Sequence, residues 1–409
     1  MPSVLAIKVV RQNYAPNNDV LGLLQTFRAI TNSCIEIGLA NDAWSLRRLS
    51  ELSYKALAGY RCPSYYKLGA ISRAAGILAA RKKSMRRRMP TRTPYSFKPQ
   101  LASCYGFKIK DKTFSLPIGG GRTFSILLNR HTLEILSDGN LRVKSFVLTP
   151  STISLCVTKE VANVECIDMA GVDRNLRNLT CGNERCISRY DLSKAAEIAA
   201  TTTSITSSFK RNDARIRHKI ASKYGKRRRD RTNQLLHNVT KRIVNEAKRR
   251  REALVLENIT GIRKLFRRHN GGTSSFRGAM NGWKFREAQR QIEYKAAWQG
   301  LSVIRLTRKE TRGTSITCPR CGERLQSDRE HHRELWCSSC EKWTDRDVVA
   351  AINVAQRGRL RFDRSKGEAI EAMKRNPTPT VPLRVDASKL DRPTAETSRT
   401  FIDDVTGRD

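Results

Sequence analysis

Three features of this 409-residue sequence predict a multidomain fold, a small β-barrel with an inserted helical block followed by an α/β domain. Apolar residues recur at helical spacing from Val20 through Leu24, Phe27, Ile30, Cys34 and Ile37. Short β-prone runs broken by turn residues fill the span from Thr113 to Lys159, as in a small antiparallel barrel. From Val164 onward strand-like and helix-like segments alternate, the texture of a sheet covered by helices.

Taken in order, residues 4–10 form a lone β-prone run whose partners must lie later in the chain, so it is expected to complete the barrel. The helical residues 19–94 are then an insertion between 1–18 and 95–162, closing at the basic stretch RKKSMRRRMP, 81–90. Within the barrel TFSLPI, TFSILL, TLEIL, NLRVKSFVLT and TISLCVTK read as strands. The α/β domain, 163–310 and 344–360, takes VECIDMAGVD, ALVLENITGI and LSVIRLT as strands and WKFREAQRQIEYKAAWQG as a helix. In the basic segment between the first two strands, Leu235, Val239, Ile243 and Ala247 step by four and trace one apolar stripe. Residues 361–409, with NPTPTVP and few aromatics, are expected to form a mostly disordered tail.

Charge narrows the function. Lys and Arg number 78 against 38 Asp and Glu, a formal +40 that points to a polyanionic partner, nucleic acid first. No run of about 18 apolar residues occurs, and MPSVLAIKVVRQNY lacks a signal-peptide layout, so a soluble intracellular protein without a membrane partner is expected. The density of FKRNDARIRHKIASKYGKRRRDR suits a surface that tracks a phosphate backbone. Its candidate contacts are Lys210, Arg211, Arg215, Arg217, Lys226, Arg227, Arg228 and Arg229, and the bland alternative is a solvated helix face.

Two groups of side chains carry chemistry. Cys318 and Cys321, then Cys337 and Cys340, form two CxxC pairs fifteen residues apart, the spacing of a structural four-thiolate zinc ribbon occupying 311–343. His331 and His332 read as loop residues, and the seven scattered cysteines as ordinary thiols. Asp173 ends the strand-like IDMAGVD, Glu257 ends the apolar ALVLE, and Asp347 opens the helical DVVAAINVA. Three carboxylates brought together there are hard oxygen ligands suited to Mg²⁺. A pair of such ions activates water and stabilises the leaving 3′ oxygen in phosphodiester hydrolysis. The alternative for each acid alone is a surface charge or helix cap. Thr344, three residues before Asp347, stands where a capping box would fix the helix start, and Asp345 reads as a cap or solvated charge.

These motifs resemble the TnpB proteins of insertion sequences. GVDRNLRNLT (171–180) resembles the family's first RuvC motif, LVLENITGIRK (254–264) its second, TSITCPRCG with CSSC its zinc ribbon, and DRDVVAAINVA its third. The resemblance implies an RNase H-like RuvC nuclease domain with an inserted zinc ribbon, and an N-terminal wedge-type β-barrel with an inserted helical recognition bundle. It assigns Asp173, Glu257 and Asp347 as catalytic ligands of Mg²⁺ or Mn²⁺, and the four clustered cysteines to Zn²⁺. It further implies a guide RNA transcribed from the transposon end. The partner is a double-stranded DNA target, read through a short adjacent motif and by base pairing. The setting is a prokaryotic cytoplasm, nucleoid-associated, with monomer and dimer both open. Arg174 beside Asp173 and Val349 after Asp347 depart from the family pattern. Alternatives are a compact type V CRISPR effector, a guided DNA-binding regulator with little or no cleavage, and a strand-transfer transposase. The ribbon between the second and third acids argues against the last.

Overall fold

The computed structural model describes residues 3–209, 214–259, 273–327 and 333–364, which fall into two compact units. His331 and His332, and all of the predicted tail beyond Arg364, lie outside the described residues.

The first unit, Leu5–Glu160, holds β1 (Ser3–Asn13), α1 (Asn18–Ala40), α2 (Leu46–Ser53), α3 (Ser64–Arg86), β2 (Leu101–Ser103), β3 (Lys108–Lys110), β4 (Thr113–Gly119), β5 (Arg122–Leu127), α4 (Arg130–Leu136), β6 (Leu141–Leu148) and β7 (Thr152–Ala162). Asn17 caps α1 by accepting the Val20 N–H at 2.9 Å, and the helix buries Val20, Leu24, Phe27 and Ile30. It lies close to α3 because position 38 is glycine: a Cβ there would run into Leu78 and the Ala43 carbonyl.

The strands depart from the expected barrel. Among the described residues they make two open sheets, ordered β1-β7-β6-β2 and β3-β4-β5, so β1 does find its partner in β7 but no barrel closes. Closure needs a backbone ladder along every seam, and the edge strands β2 and β3 offer three residues each. Side chains join the sheets instead. Phe146 of β6 meets Phe114 of β4 at 5.1 Å and Phe107 at 5.5 Å between ring centroids. Gln12 of β1 donates to the Leu127 carbonyl at 2.9 Å and accepts the Asn129 N–H at 3.0 Å. A second correction concerns TLEIL, which is helical within α4. Asn129 accepts the Thr132 N–H at 2.8 Å, and that cap starts a helix where an apolar run alone suggested a strand.

The second unit continues from Val161 with β8 (Asp168–Arg174), β9 (Asn178–Gly182), β10 (Ile187–Asp191), α5 (Ser193–Ser207), α6 (Ala214–Arg250), β11 (Glu252–Leu256), α7 (Ser274–Gly282), α8 (Phe285–Trp298), β12 (Val303–Arg305), α9 (Arg308–Thr311), β13 (Gln326–Ser327), β14 (Glu334–Cys337), β15 (Lys342–Asp345) and α10 (Arg346–Arg364). Its main sheet runs β10-β9-β8-β11-β12, antiparallel from β10 to β8 and parallel from β8 to β12. The hairpin strands β9 and β10 were not legible as strands, being five residues each and rich in polar side chains. On α6 the buried stripe is Leu236, Thr240, Ile243 and Ala247, not one beginning at Leu235, which is only half-buried, as is Val239. At 3.6 residues per turn a strict step of four drifts around the helix, and alternating steps of three and four stay on one face.

Helix α10 lies across β8 and β11, and two glycines set how closely. A Cβ on Gly171 of β8 would strike the Ala351 carbonyl, and one on Gly358 of α10 would strike Val255 of β11. That close approach brings the start of α10 to the end of β8.

Candidate functional site

Each of the three acids stands at the end of an element. Asp173 is the penultimate residue of β8, Glu257 follows the last residue of β11, and Asp347 is the second residue of α10. Since β8 and β11 are parallel, with Val172 opposite Leu256, Asp173 and Glu257 emerge on the same edge of the sheet. Asp173 and Asp347 are 8% and 7% exposed, values that make each charge expensive unless it is compensated.

Compensation is uneven. The Arg174 side chain is fully buried, Nη2 donating to the Glu257 carbonyl at 2.6 Å and Nη1 to Gln289 Oε1 at 2.7 Å, with Nε 3.6 Å from Glu257 Oε1. The arginine that departed from the family pattern is therefore the clamp on the second acid. Asp347 Oδ2 accepts from Asn178 Nδ2 at 3.0 Å and from Arg333 Nη2, and Arg189 Nη2 stands 3.8 Å away. Asp173 forms no ion pair among the described residues; Asn175 Nδ2 donates to its Oδ2 at 2.6 Å. Desolvation, then the charges of Glu257 and Asp347, hold its carboxyl well above the usual aspartate range. Desolvation also raises Glu257, opposed by Arg174. Asp173, uncompensated and repelled by Glu257 and Asp347, and its two neighbours are hard oxygen donors whose chemistry fits a divalent cation.

Asp345, not Thr344, caps α10. Its Oδ1 accepts the N–H groups of Asp347 at 2.8 Å and Val348 at 3.2 Å, whereas Thr344 sits in β15 opposite Leu335. Arg189 Nη2 lies 2.7 Å from Asp345 Oδ2, and despite desolvation it and the two N–H groups keep that carboxyl below its ordinary value.

The ribbon follows directly in the chain before α10. The sulfurs of Cys318, Cys321, Cys337 and Cys340 all lie within 4.8 Å of one another, the one such group of three or more donor side chains among the described residues. Separations of 3.4 Å for Cys321 and Cys337 and 3.9 Å for Cys318 and Cys340 suit a tetrahedral zinc, whose bonds of about 2.3 Å space its sulfurs by about 3.8 Å. Burial opposes the Cys318 thiolate, but the N–H groups of Cys321 and Arg320 outweigh it and bring the thiol down to about 7. The sulfurs of Cys321 and Cys337 push Cys340 up to about 12. Four thiols do not ionise in one another's field without a cation to share, so the residues fit zinc. Val349, the other departure from the family pattern, is fully buried among Cys318, Leu325, Leu335 and Cys337 and ties the ribbon to α10.

Of the basic candidates, Lys210 and Arg211 lie outside the described residues. Arg215 and Arg217 fall in the first turn of α6; Arg215, Lys226, Arg227 and Arg229 are exposed and Arg228 is half-buried. Sequence reasoning missed Asn175, Asn178, Arg189 and Arg333 as partners of the acids. The two asparagines stood inside the quoted first motif, which was the available signal; nothing local marks the arginines.

No helix among the described residues is long and apolar enough to cross a membrane. A family model for the Cas12f1-like TNB domain matches residues 285–354, from α8 through the ribbon into α10. A TnpB-like protein of Methanocaldococcus jannaschii is 28% identical over 238 residues, covering 54% of this chain and 80% of that protein. A solved structure of Cas12f1 with single-guide RNA and target DNA superposes with a TM-score of 0.58 at 15% identity, covering 82% of both chains. The fold is thus that of a compact type V effector. The matched domain, the relative and the shared fold together make the chain similar to TnpB proteins and support a place in that family.

Proposed function

We infer that the protein is an RNA-guided DNA endonuclease of the TnpB and Cas12 type, cutting with a single RuvC-type site in an RNase H-like domain. The observation that carries this reading is the arrival of Asp173, Glu257 and Asp347 from two parallel strand ends and one helix start, with Asp173 left uncompensated. Those three residues would hold Mg²⁺ or Mn²⁺, which when bound activates a water and stabilises the leaving oxygen. Arg174 fixes the backbone and carboxylate of Glu257, while Asn175 and Asn178 orient the other two acids. Arg189 and Arg333, 43% and 58% exposed at the side chain, keep Asp347 aimed, and their exposed faces suit a strand phosphate. The net charge of +40 and the family likeness support a guide RNA from the transposon end and a double-stranded DNA target. In this reading 1–18 and 95–162 form the wedge-like part, 19–94 the recognition helices, 163–310 with 344–360 the nuclease domain, and 311–343 the ribbon.

The test is cleavage of a matched duplex by guide-loaded protein, beside binding to the same duplex. Asp347→Ala is expected to lower cleavage by orders of magnitude and leave binding intact, and EDTA to abolish wild-type cleavage until Mg²⁺ or Mn²⁺ is restored. Asp345→Ala removes a cap worth about 1 kcal/mol and should cut far better than Asp347→Ala. A fully active Asp347→Ala protein would overturn the triad.

A further inference from the structure

The basic run RKKSMRRRMP and the segment after it take no part in the site above. Between Glu51 and Asp111 the chain carries fourteen Lys and Arg residues and no Asp or Glu. Arg86, Arg87 and Arg88 are exposed where α3 ends, with Arg88 in the left-handed region at φ 53° just past the helix. Residues 89–100 then continue with neither helix nor strand.

This irregular segment is gripped by α1 at its middle and by α3 at its end, where Arg73 Nη2 donates to Gln100 Oε1 at 2.9 Å. Asn32 of α1, itself buried, donates from Nδ2 to the Ser96 carbonyl at 3.3 Å and accepts the Ser96 N–H at Oδ1 at 2.8 Å. One helical turn earlier, Arg28 Nη1 donates to the Phe97 carbonyl at 3.4 Å. Ser96 is buried by that grip, and its neighbours face outward: Tyr95 is 51% exposed and Phe97 77%. Their rings meet edge to face with centroids 5.0 Å apart. Two adjacent aromatic rings displayed on a cationic surface invite association, and here buried polar contacts from α1 maintain the display.

The partner must offer flat π faces beside negative charge. A single nucleic-acid strand offers both, since its unpaired bases stack on aromatic side chains while its phosphates meet Lys and Arg. A duplex hides its base faces, and an acidic protein segment would satisfy the arginines but leave the rings bare. We propose that Tyr95 and Phe97 form a stacking platform for unpaired bases of the guide RNA, with Arg86, Arg87, Arg88 and Lys98 meeting its phosphates. The choice of RNA rests on the proposed function: there the RNA is resident and the DNA transient, and a resident partner keeps the rings covered between turnovers. Single-stranded RNA is also the form in which splayed bases are read by aromatic side chains.

The experiment uses full-length protein stripped of nucleic acid, titrated with a short unstructured RNA carrying one aminopurine, and with DNA of the same sequence. The wild type is expected to bind the RNA more tightly and to quench its fluorescence by stacking. The double variant Tyr95→Ala, Phe97→Ala should lose affinity by about tenfold per ring and lose the quench. Its slope of log affinity against log salt should not change, because the rings neutralise no phosphate. Replacing Arg86, Arg87 and Arg88 by Gln should flatten the slope, and Tyr95→Phe should keep the quench. Unaltered affinity and quench in the double alanine variant, with melting as in the wild type, would overturn the platform. Ring-dependent binding that favours DNA would overturn the RNA assignment. A wild type that binds no RNA would instead sink the guided reading, a failure visible before any variant is made.

Discussion

At the residue scale the site turns on where charge is left unbalanced. Glu257 has Arg174 and Asp347 has Arg333 and Arg189, while Asp173 has an asparagine. Its carboxyl ionises near 3.8 in an unfolded chain and well above that in the fold, first through desolvation and then through Glu257 and Asp347. The folded, metal-free protein therefore holds a proton that the unfolded chain releases, and stability falls as pH rises above 3.8 toward the folded value. In EDTA the melting temperature should drop across this window, and a divalent cation should restore it by neutralising the ionised acids. Asp173→Asn should remove much of the drop and raise the melting temperature by about 2–4 °C, the effect of about 1 kcal/mol in a domain of this size. The same variant should lose the response to Mg²⁺. Equal pH profiles for variant and wild type in EDTA would show that Asp173 is compensated after all. The acids were legible because each borders an apolar run; Arg189 and Arg333 were not, since their side chains reach Asp347 only once the fold sets β10 and the start of β14 beside α10.

At the element scale, the ribbon and α10 act as one piece. Strand β15 ends on Asp345, which caps α10; the Arg346 N–H donates to the Arg333 carbonyl at 2.8 Å, and Val349 fills the ribbon's core. The metal loop thus fixes where the helix begins and so where Asp347 points. Cys337→Ser should release zinc, measured by metal analysis, and lower the melting temperature, because so few apolar residues cannot hold the ribbon without its ion. Full zinc content with wild-type melting would contradict the four-thiolate site. Helix α6 offers a separate test. Its face around Leu236, Ile243 and Ala247 is buried, and Lys226, Arg227 and Arg229 project away from any core. Changing Lys226, Arg227, Arg228 and Arg229 to Gln should reduce the salt slope of duplex DNA binding by up to about 0.9 for each phosphate that is no longer neutralised. An unchanged slope would make this a solvated face.

At the scale of the whole molecule, a charge of +40 means that the protein is expected to leave cells with nucleic acid attached. Purified from cells carrying its native locus, it should bring RNA whose sequence maps beside its own gene, and ribonuclease treatment should abolish cleavage without removing zinc. Protein that cuts a matched duplex after complete removal of RNA would refute guiding. By itself the sequence determined the alternation of elements in the second unit, the four-cysteine ribbon and the positions of the three acids, because hydrophobic period, ligand spacing and strand-end acids are local properties. The tertiary structure alone decided that the N-terminal strands stay as two open sheets, that Asp345 and not Thr344 caps α10, and that Gly171 and Gly358 let that helix settle onto β8 and β11. Those outcomes depend on which distant strands find full-length partners and how closely two backbones can approach. Both are set by close packing between residues far apart in the chain, which no local pattern records.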